Sequence, residues 1–183
     1  MLAYKGFDKG LICRGYQFKM GLNVTEKANC VKNGFHCAEN PIDCLTYYSK
    51  LFDSEYYIVD AGGDIDEDNC DSKISCTHLK ILKRLTPKEL LLHTLAYIND
   101  HPFREDSKHI SKDADKTYNG YVVVRGKNPL ACGNKGDIIC FAKEEENSKK
   151  IAQIALYVID GKKVKPNIWY NIDLEESEGV KCD

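Results

Sequence analysis

The chain is poor in arginine, in net charge and in long apolar runs, and each scarcity narrows what it can do. Four arginines, Arg14, Arg84, Arg104 and Arg125, stand among 26 basic residues, so each is worth inspecting singly. A formal charge of -2 over 183 residues gives no general attraction to nucleic acid or to anionic membranes. No window approaches the roughly 18–20 apolar residues of a membrane span. The opening stretch MLAYKGFDKGLICRGYQF carries charges near its start and no secretory apolar run. A chain made and kept in the cytoplasm, without membrane contact, is expected. G-x-S-x-G, Walker and dinucleotide glycine signatures are all missing.

Cysteine, by contrast, is abundant. Nine cysteines are many for a cytoplasmic chain, but an odd count with no leader argues against a disulfide framework. Cys30, Cys37 and Cys44 recur every seven residues beside His36, yet no pair has the C-x(2–4)-C spacing of a zinc site. Buried, reduced thiols and no metal are expected. Asp64, Asp66 and Asp68 imitate the start of a calcium loop, but Asn69 stands where glycine is needed and Ser75 where a bidentate Glu is needed. His78, His93, His101 and His109 show no metal-type spacing.

The pattern along the chain predicts an α+β protein: a β-rich amino-terminal domain with two short helices, then a small antiparallel β-meander. Residues 2–35 read as short strands broken by turns. Asn40-Pro41 supplies a cap and first-turn proline, and Ile42, Leu45, Tyr48, Leu51 and Phe52 predict a helix over 41–52. EYYIVDAGGDI and KISCTHLKILKRL read as strands flanking an acidic turn. Thr86-Pro87-Lys88-Glu89 is a capping box that opens a helix over 87–99. Residues 100–117 are polar and aperiodic, and read as a linker or surface loop between domains 1–99 and 118–183. GYVVVRG, GDIICFAK, IAQIALYVIDG and NIWYNIDL restore β character, with Asp160-Gly161 as a hairpin signal.

Several stretches stand together in a recognisable order: Lys5-Gly6-Phe7, Cys13-Arg14-Gly15-Tyr16-Gln17-Phe18, Cys30, Gly34-Phe35-His36, Glu39-Asn40-Pro41-Ile42-Asp43, Tyr47-Tyr48, Val59 to Asp64, and Ser72-Lys73-Ile74. This set resembles an uncharacterised domain of phages and prophages of Firmicutes and related gut bacteria, over about residues 3–85. GDIICFA and VIDGKKVKPNIWYNI resemble that family's ending. Its members often carry short repeats suggestive of a β-helical stalk, which a polar stretch and one or two strands replace here. The resemblance implies no established activity.

The stretch NGFHCAENPIDCLTYY carries the sharpest chemical idea. A Gly-aromatic-His strand end before a helix closing on Tyr47-Tyr48, with an early Arg14, resembles the nicotinamide corner of the ADP-ribosyltransferase-like fold. The candidate pocket is Arg14, Tyr16, His36, Glu39, Tyr47 and Tyr48, and NAD is the cofactor under that alternative. No carboxyl-side strand offers the catalytic Glu those enzymes use: Glu144, Glu145 and Glu146 fall in a loop, and Glu175 and Glu176 near the tail. A Cys37–His36 nucleophile pair has poor geometry, because adjacent strand residues face opposite ways. The leading expectation is therefore a cytoplasmic accessory protein with no cofactor. It would bind and inhibit or decoy a host protein, as counter-defence proteins do, rather than catalyse. Homodimerisation is left open.

Overall fold

The computed structural model describes residues 1–30, 32–67 and 71–177. The chain divides into two compact units, residues 1–90 and 91–183. The class is α+β and β-rich. No helix among the described residues is long and apolar enough to cross a membrane.

The first unit contains β1 (Leu2–Phe7), β2 (Ile12–Cys13), β3 (Tyr16–Gln17), β4 (Gly21–Val24), β5 (Phe35–Ala38), a 3-10 helix (Pro41–Thr46), β6 (Glu55–Glu67) and β7 (Lys73–Leu85). The main sheet runs β4-β7-β5-β1-β6, and β6 pairs with β7 as well, so the sheet closes on itself. Its frame is the long β6–β7 hairpin, antiparallel from Tyr56↔Leu85 to Glu67↔Ile74. Alternation along both strands sends Val59, Ala61, Ile74, Cys76, Leu79 and Ile81 inward onto Ala3 and Phe7 of β1. A fully buried Leu79 or Phe7 contributes about 1.5–3 kcal/mol of transfer free energy.

One seam of this sheet is loose. β1 follows β6 over six register pairs, but shares with β5 the single pair Tyr4↔Ala38. Beyond that pair the ladder stops, and the Lys5 ammonium donates to the His36 carbonyl at 2.6 Å where a strand amide would otherwise serve.

The helix expected over 41–52 is shorter and tighter, a 3-10 helix ending at Thr46. Asn40 caps it as expected, its side chain accepting from the Ile42 amide. Two residues past that end, the Tyr48 carbonyl accepts from the Tyr56 hydroxyl at 2.7 Å rather than from an amide one turn on. The second helix, α1 (Pro87–Asp100), matches its capping box. The Thr86 amide donates to Glu89 Oε2 at 2.8 Å, and the Glu89 amide donates to Thr86 Oγ1 at 3.2 Å.

The second unit holds β8 (Ser111–Lys116), β9 (Tyr121–Cys132), β10 (Ile138–Glu144) and β11 (Ile151–Val158), ordered β11-β10-β9-β8. It is a mixed sheet rather than an antiparallel meander: β10–β11 is antiparallel, but β8–β9 and β9–β10 are parallel. Ile138 lies beside Tyr121 and Ser111 beside Val124, with connections too short for a helical crossover. The chain instead circles back on itself, with β9 stepping five residues from Arg125 to Leu130 while β8 steps two, from Lys112 to Ala114. The result is a short coil packed around Val122, Val124, Ala131, Ile139 and Phe141. β8 lies within the stretch read as a linker. It is an edge strand with mostly exposed polar side chains, so it carries no apolar period. Asp160-Gly161 makes a turn but no hairpin, with the Asp160 carboxylate accepting the amides of Lys162, Lys163 and Val164.

Cys13, Cys30, Cys37, Cys44, Cys76 and Cys140 are free thiols. Cys132 is disulfide-bonded, which corrects the expectation of thiols reduced throughout.

Candidate ligand-binding site

A cavity of about 470 Å³ opens at the loose seam between β1 and β5. β1 brings Tyr4, Lys5 and Gly6 to it, and β5 brings Phe35, His36, Cys37 and Ala38. The β2–β3 hairpin adds Cys13, Arg14 and Tyr16. Its two-residue loop, Arg14-Gly15, takes φ of 48° and 79°, both left-handed, as a type I′ turn requires. The 3-10 helix and its exit supply Asp43, Cys44, Tyr47 and Tyr48.

The aromatic part of the wall is a packed series. Tyr16 meets Phe18 edge-on at 4.7 Å, Phe18 meets Phe35 at 4.9 Å, and Phe7 backs Phe18 at 5.2 Å. Phe18 and Phe35 are buried, whereas Tyr16 keeps about half its surface exposed. Tyr47 is similarly exposed, and its hydroxyl accepts from Lys73 Nζ at 2.9 Å. Gly6 is what lets Tyr48 lie across β1: a Cβ there would stand 2.5 Å from Tyr48 Cδ2 and 2.9 Å from Cγ. Burial first, then a hydrogen bond with Cys13, pushes the Tyr48 hydroxyl upward, while nearby Arg14 pulls it back.

The charge on this wall is lopsided. Lys5, Arg14, Lys32 and Lys73 line it against one carboxylate, Asp43. Asp43 is buried, and its Oδ2 accepts the Ser72 hydroxyl at 2.6 Å and the Ser72 amide at 3.3 Å. Burial pushes the Cys44 thiol up to about 12. Its hydrogen bond to Cys76, with burial, pushes Cys37 up as well. Both are therefore neutral thiols and poor nucleophiles. The arrangement can stack a flat group and hold negative charge. It offers no unengaged carboxylate to pair with a developing cation.

The cavity thus brings together Arg14, Tyr16, His36, Tyr47 and Tyr48, while Glu39 is not on its wall. The Glu39 amide instead continues the ladder by donating to the Ser72 carbonyl at 3.0 Å. Sequence reasoning passed over Lys5, Cys13, Phe18 and Asp43 as wall residues. For Lys5 a signal existed, a charge at the inward phase of an alternating strand. No group of three or more His, Cys, Asp or Glu side chains among the described residues is placed to hold a metal ion.

No curated protein and no solved structure matches the chain. The model of one family, described as a domain of unknown function, DUF7666, matches residues 1–93, half of the chain and the whole of the unit that carries the cavity, and the protein belongs to that family.

Proposed function

We propose that the amino-terminal unit is a receptor for a small planar organic molecule of nucleotide size, and that it binds this molecule without transforming it. One observation carries the reading: a 470 Å³ cavity, within the roughly 300–1,000 Å³ range of ligand sites, gathers half-exposed tyrosines and cations on one wall. The likeness of this corner to the ADP-ribosyltransferase-like fold makes NAD the first ligand to try. The engagement of Asp43 by Ser72 argues against catalysis, because the wall offers no carboxylate free to stabilise a glycosyl cation.

Calorimetric titration with NAD, beside Arg14→Ala and His36→Ala, tests this. Binding that both substitutions weaken supports the site, and no heat at millimolar NAD removes NAD from consideration.

A second reading has its own observation. β4 is an edge strand, and Leu22 and Val24 point the same way with more than half their surface exposed. Such an edge suits pairing with another protein. The phage-like amino-terminal motif favours a host protein in the cytoplasm as that partner, in a decoy or inhibitory role. Leu22→Lys should abolish such a complex and leave NAD binding intact; a complex that survives it does not use this edge.

A further inference from the structure

Lys5 stands where its strand calls for an apolar side chain. Ala3, Lys5 and Phe7 follow at the two-residue period of β1, and Ala3 and Phe7 belong to the core. Lys5 is 4% exposed, as deep as Phe18 and deeper than Phe35 beside it. Its neighbours are all uncharged. Nζ donates to the His36 carbonyl at 2.6 Å, reaches Cys13 Sγ at 3.7 Å, and lies 5.2 Å and 5.1 Å from the ring centres of Phe7 and Phe18. No carboxylate among the described residues forms an ion pair with it, and Asp43 on the same wall is engaged by Ser72.

A buried ammonium held by neutral groups is costly, because dipoles and ring faces replace only part of its lost hydration. The bond to the His36 carbonyl does not explain the charge, since a neutral donor such as a glutamine amide would serve it. An ammonium has three protons. One goes to the carbonyl, one faces a weak sulfur acceptor, and the third has no oxygen acceptor among the described residues. Arg14 lines the same cavity from its left-handed turn position, exposed, with no hydrogen-bonded or ion-paired partner among the described residues. The protein as a whole is slightly acidic, so four cations around one cavity are a local feature and not a reflection of composition.

We infer that this cavity contains an oxyanion subsite, in which a carboxylate or phosphate of the ligand receives a hydrogen bond from Lys5 and is covered by Arg14. The inference rests on the cavity being a ligand site, and adds what the ligand must present to it. The flat part of the ligand then lies along Tyr16 and Tyr47, and its anionic end points down toward β1. A neutral planar molecule would fill the same space while leaving the ammonium unpaired.

The test uses the full chain and three probes: benzoate, benzamide as its uncharged counterpart of the same shape, and inorganic phosphate. Binding is followed by calorimetry and by amide shifts of β1 and β5. Benzoate should bind at least about tenfold more tightly than benzamide, as a charge-assisted bond in a dry site implies. Lys5→Met should erase that preference while leaving benzamide affinity within about twofold, since only the charge is removed. Phosphate that shifts the same amides, dependent on Lys5, marks phosphate as an accepted source; benzoate alone marks a carboxylate. Should Lys5→Met fail to fold, Arg14→Ala at the exposed turn must still narrow the benzoate preference. Equal binding of benzoate and benzamide overturns the oxyanion subsite and leaves the cavity as a ligand site. Failure of every probe to bind overturns both. A negative NAD titration with Lys5-dependent benzoate binding discards the nucleotide and keeps the subsite.

Discussion

Replacing Lys5 by Met separates a side chain kept for a ligand from one kept for the fold. Met preserves the stem over Phe7 and Phe18 and removes the charge. The losses are the 2.6 Å charge-assisted bond to the His36 carbonyl, worth about 1.5–3 kcal/mol, and the two ring contacts, worth about 0.5–2 kcal/mol together. Against them stands release from the desolvation of a 96% buried ion, several kcal/mol after relaxation, with about 0.8 kcal/mol more for each buried methylene equivalent. The balance lies between no change and a gain of about 2 kcal/mol for the unliganded protein. For a unit spanning residues 1–90 each kcal/mol corresponds to about 4–8 °C in Tm. The single tryptophan, Trp169, belongs to the other unit, so its fluorescence does not report this change. Hydrogen exchange at the amides of β1, β5 and β6 does. With a saturating oxyanion ligand the order should reverse, because only wild type gains from binding. A loss above about 2 kcal/mol in the unliganded variant would refute the reasoning, since the ammonium would then be part of the fold's own polar network.

Three further perturbations probe the site, the second unit and the first turn of α1. Gly6→Ala drives a methyl into the Tyr48 ring at 2.5 Å and should cost about 1–3 kcal/mol with loss of ligand binding. Gly62→Ala, whose methyl meets nothing within 4 Å, is the control and should shift stability by less than about 0.5 kcal/mol; equal losses would clear Tyr48 of any role. Arg125, 4% exposed, binds Glu144, Asp106 and the carbonyls of Pro102 and Lys149. Arg125→Met should therefore cost about 3 kcal/mol or more in urea unfolding, and Arg125→Lys should not restore it, because one ammonium cannot replace the planar fork. Full rescue by Lys would show that charge alone matters there. The Thr86 amide, with Lys83 and the Thr86 hydroxyl, holds Glu89 down at about 2 from an ordinary 4.5. A depressed carboxylate stabilises above its unfolded value and ceases to do so as pH falls through its folded one. The first turn of α1 should therefore fray between about pH 4.5 and 2, seen as faster amide exchange. Glu89→Gln should flatten that response, and an unchanged acid profile would count against the capping box as its source.

Local chemistry was legible in the sequence, and pairing was not. Thr86 to Glu89 announces α1 because every partner in a capping box lies within four residues. The helix read over 41–52 overran: it ends at Thr46, and past that end the Tyr48 carbonyl is taken by the Tyr56 hydroxyl of β6, a partner distant from the helical period. Val122, Val124, Ile139 and Phe141 alternate as strand residues should, yet alternation has no direction, and the parallel register of β9 on β10 leaves no mark on it. β8 was read as a linker for the converse reason. An edge strand that buries almost nothing has no period to detect.

The candidate site follows the same division with one instructive exception. Arg14, Tyr16, His36, Tyr47 and Tyr48 reach one cavity from three chain segments, and that convergence is a product of the closed sheet. Glu39 drops out because its backbone continues the ladder toward Ser72. Lys5 is different, for its anomaly is visible in six letters. In LAYKGF the inward phase is Ala3, Lys5, Phe7, and a strand that builds a core does not place a lysine there at no cost. The departure from the pattern carries more functional information than the motifs around it, because cysteines, tyrosines and a histidine all have sound reasons to be packed in a core. A buried ammonium without a carboxylate has one only when something else brings the charge.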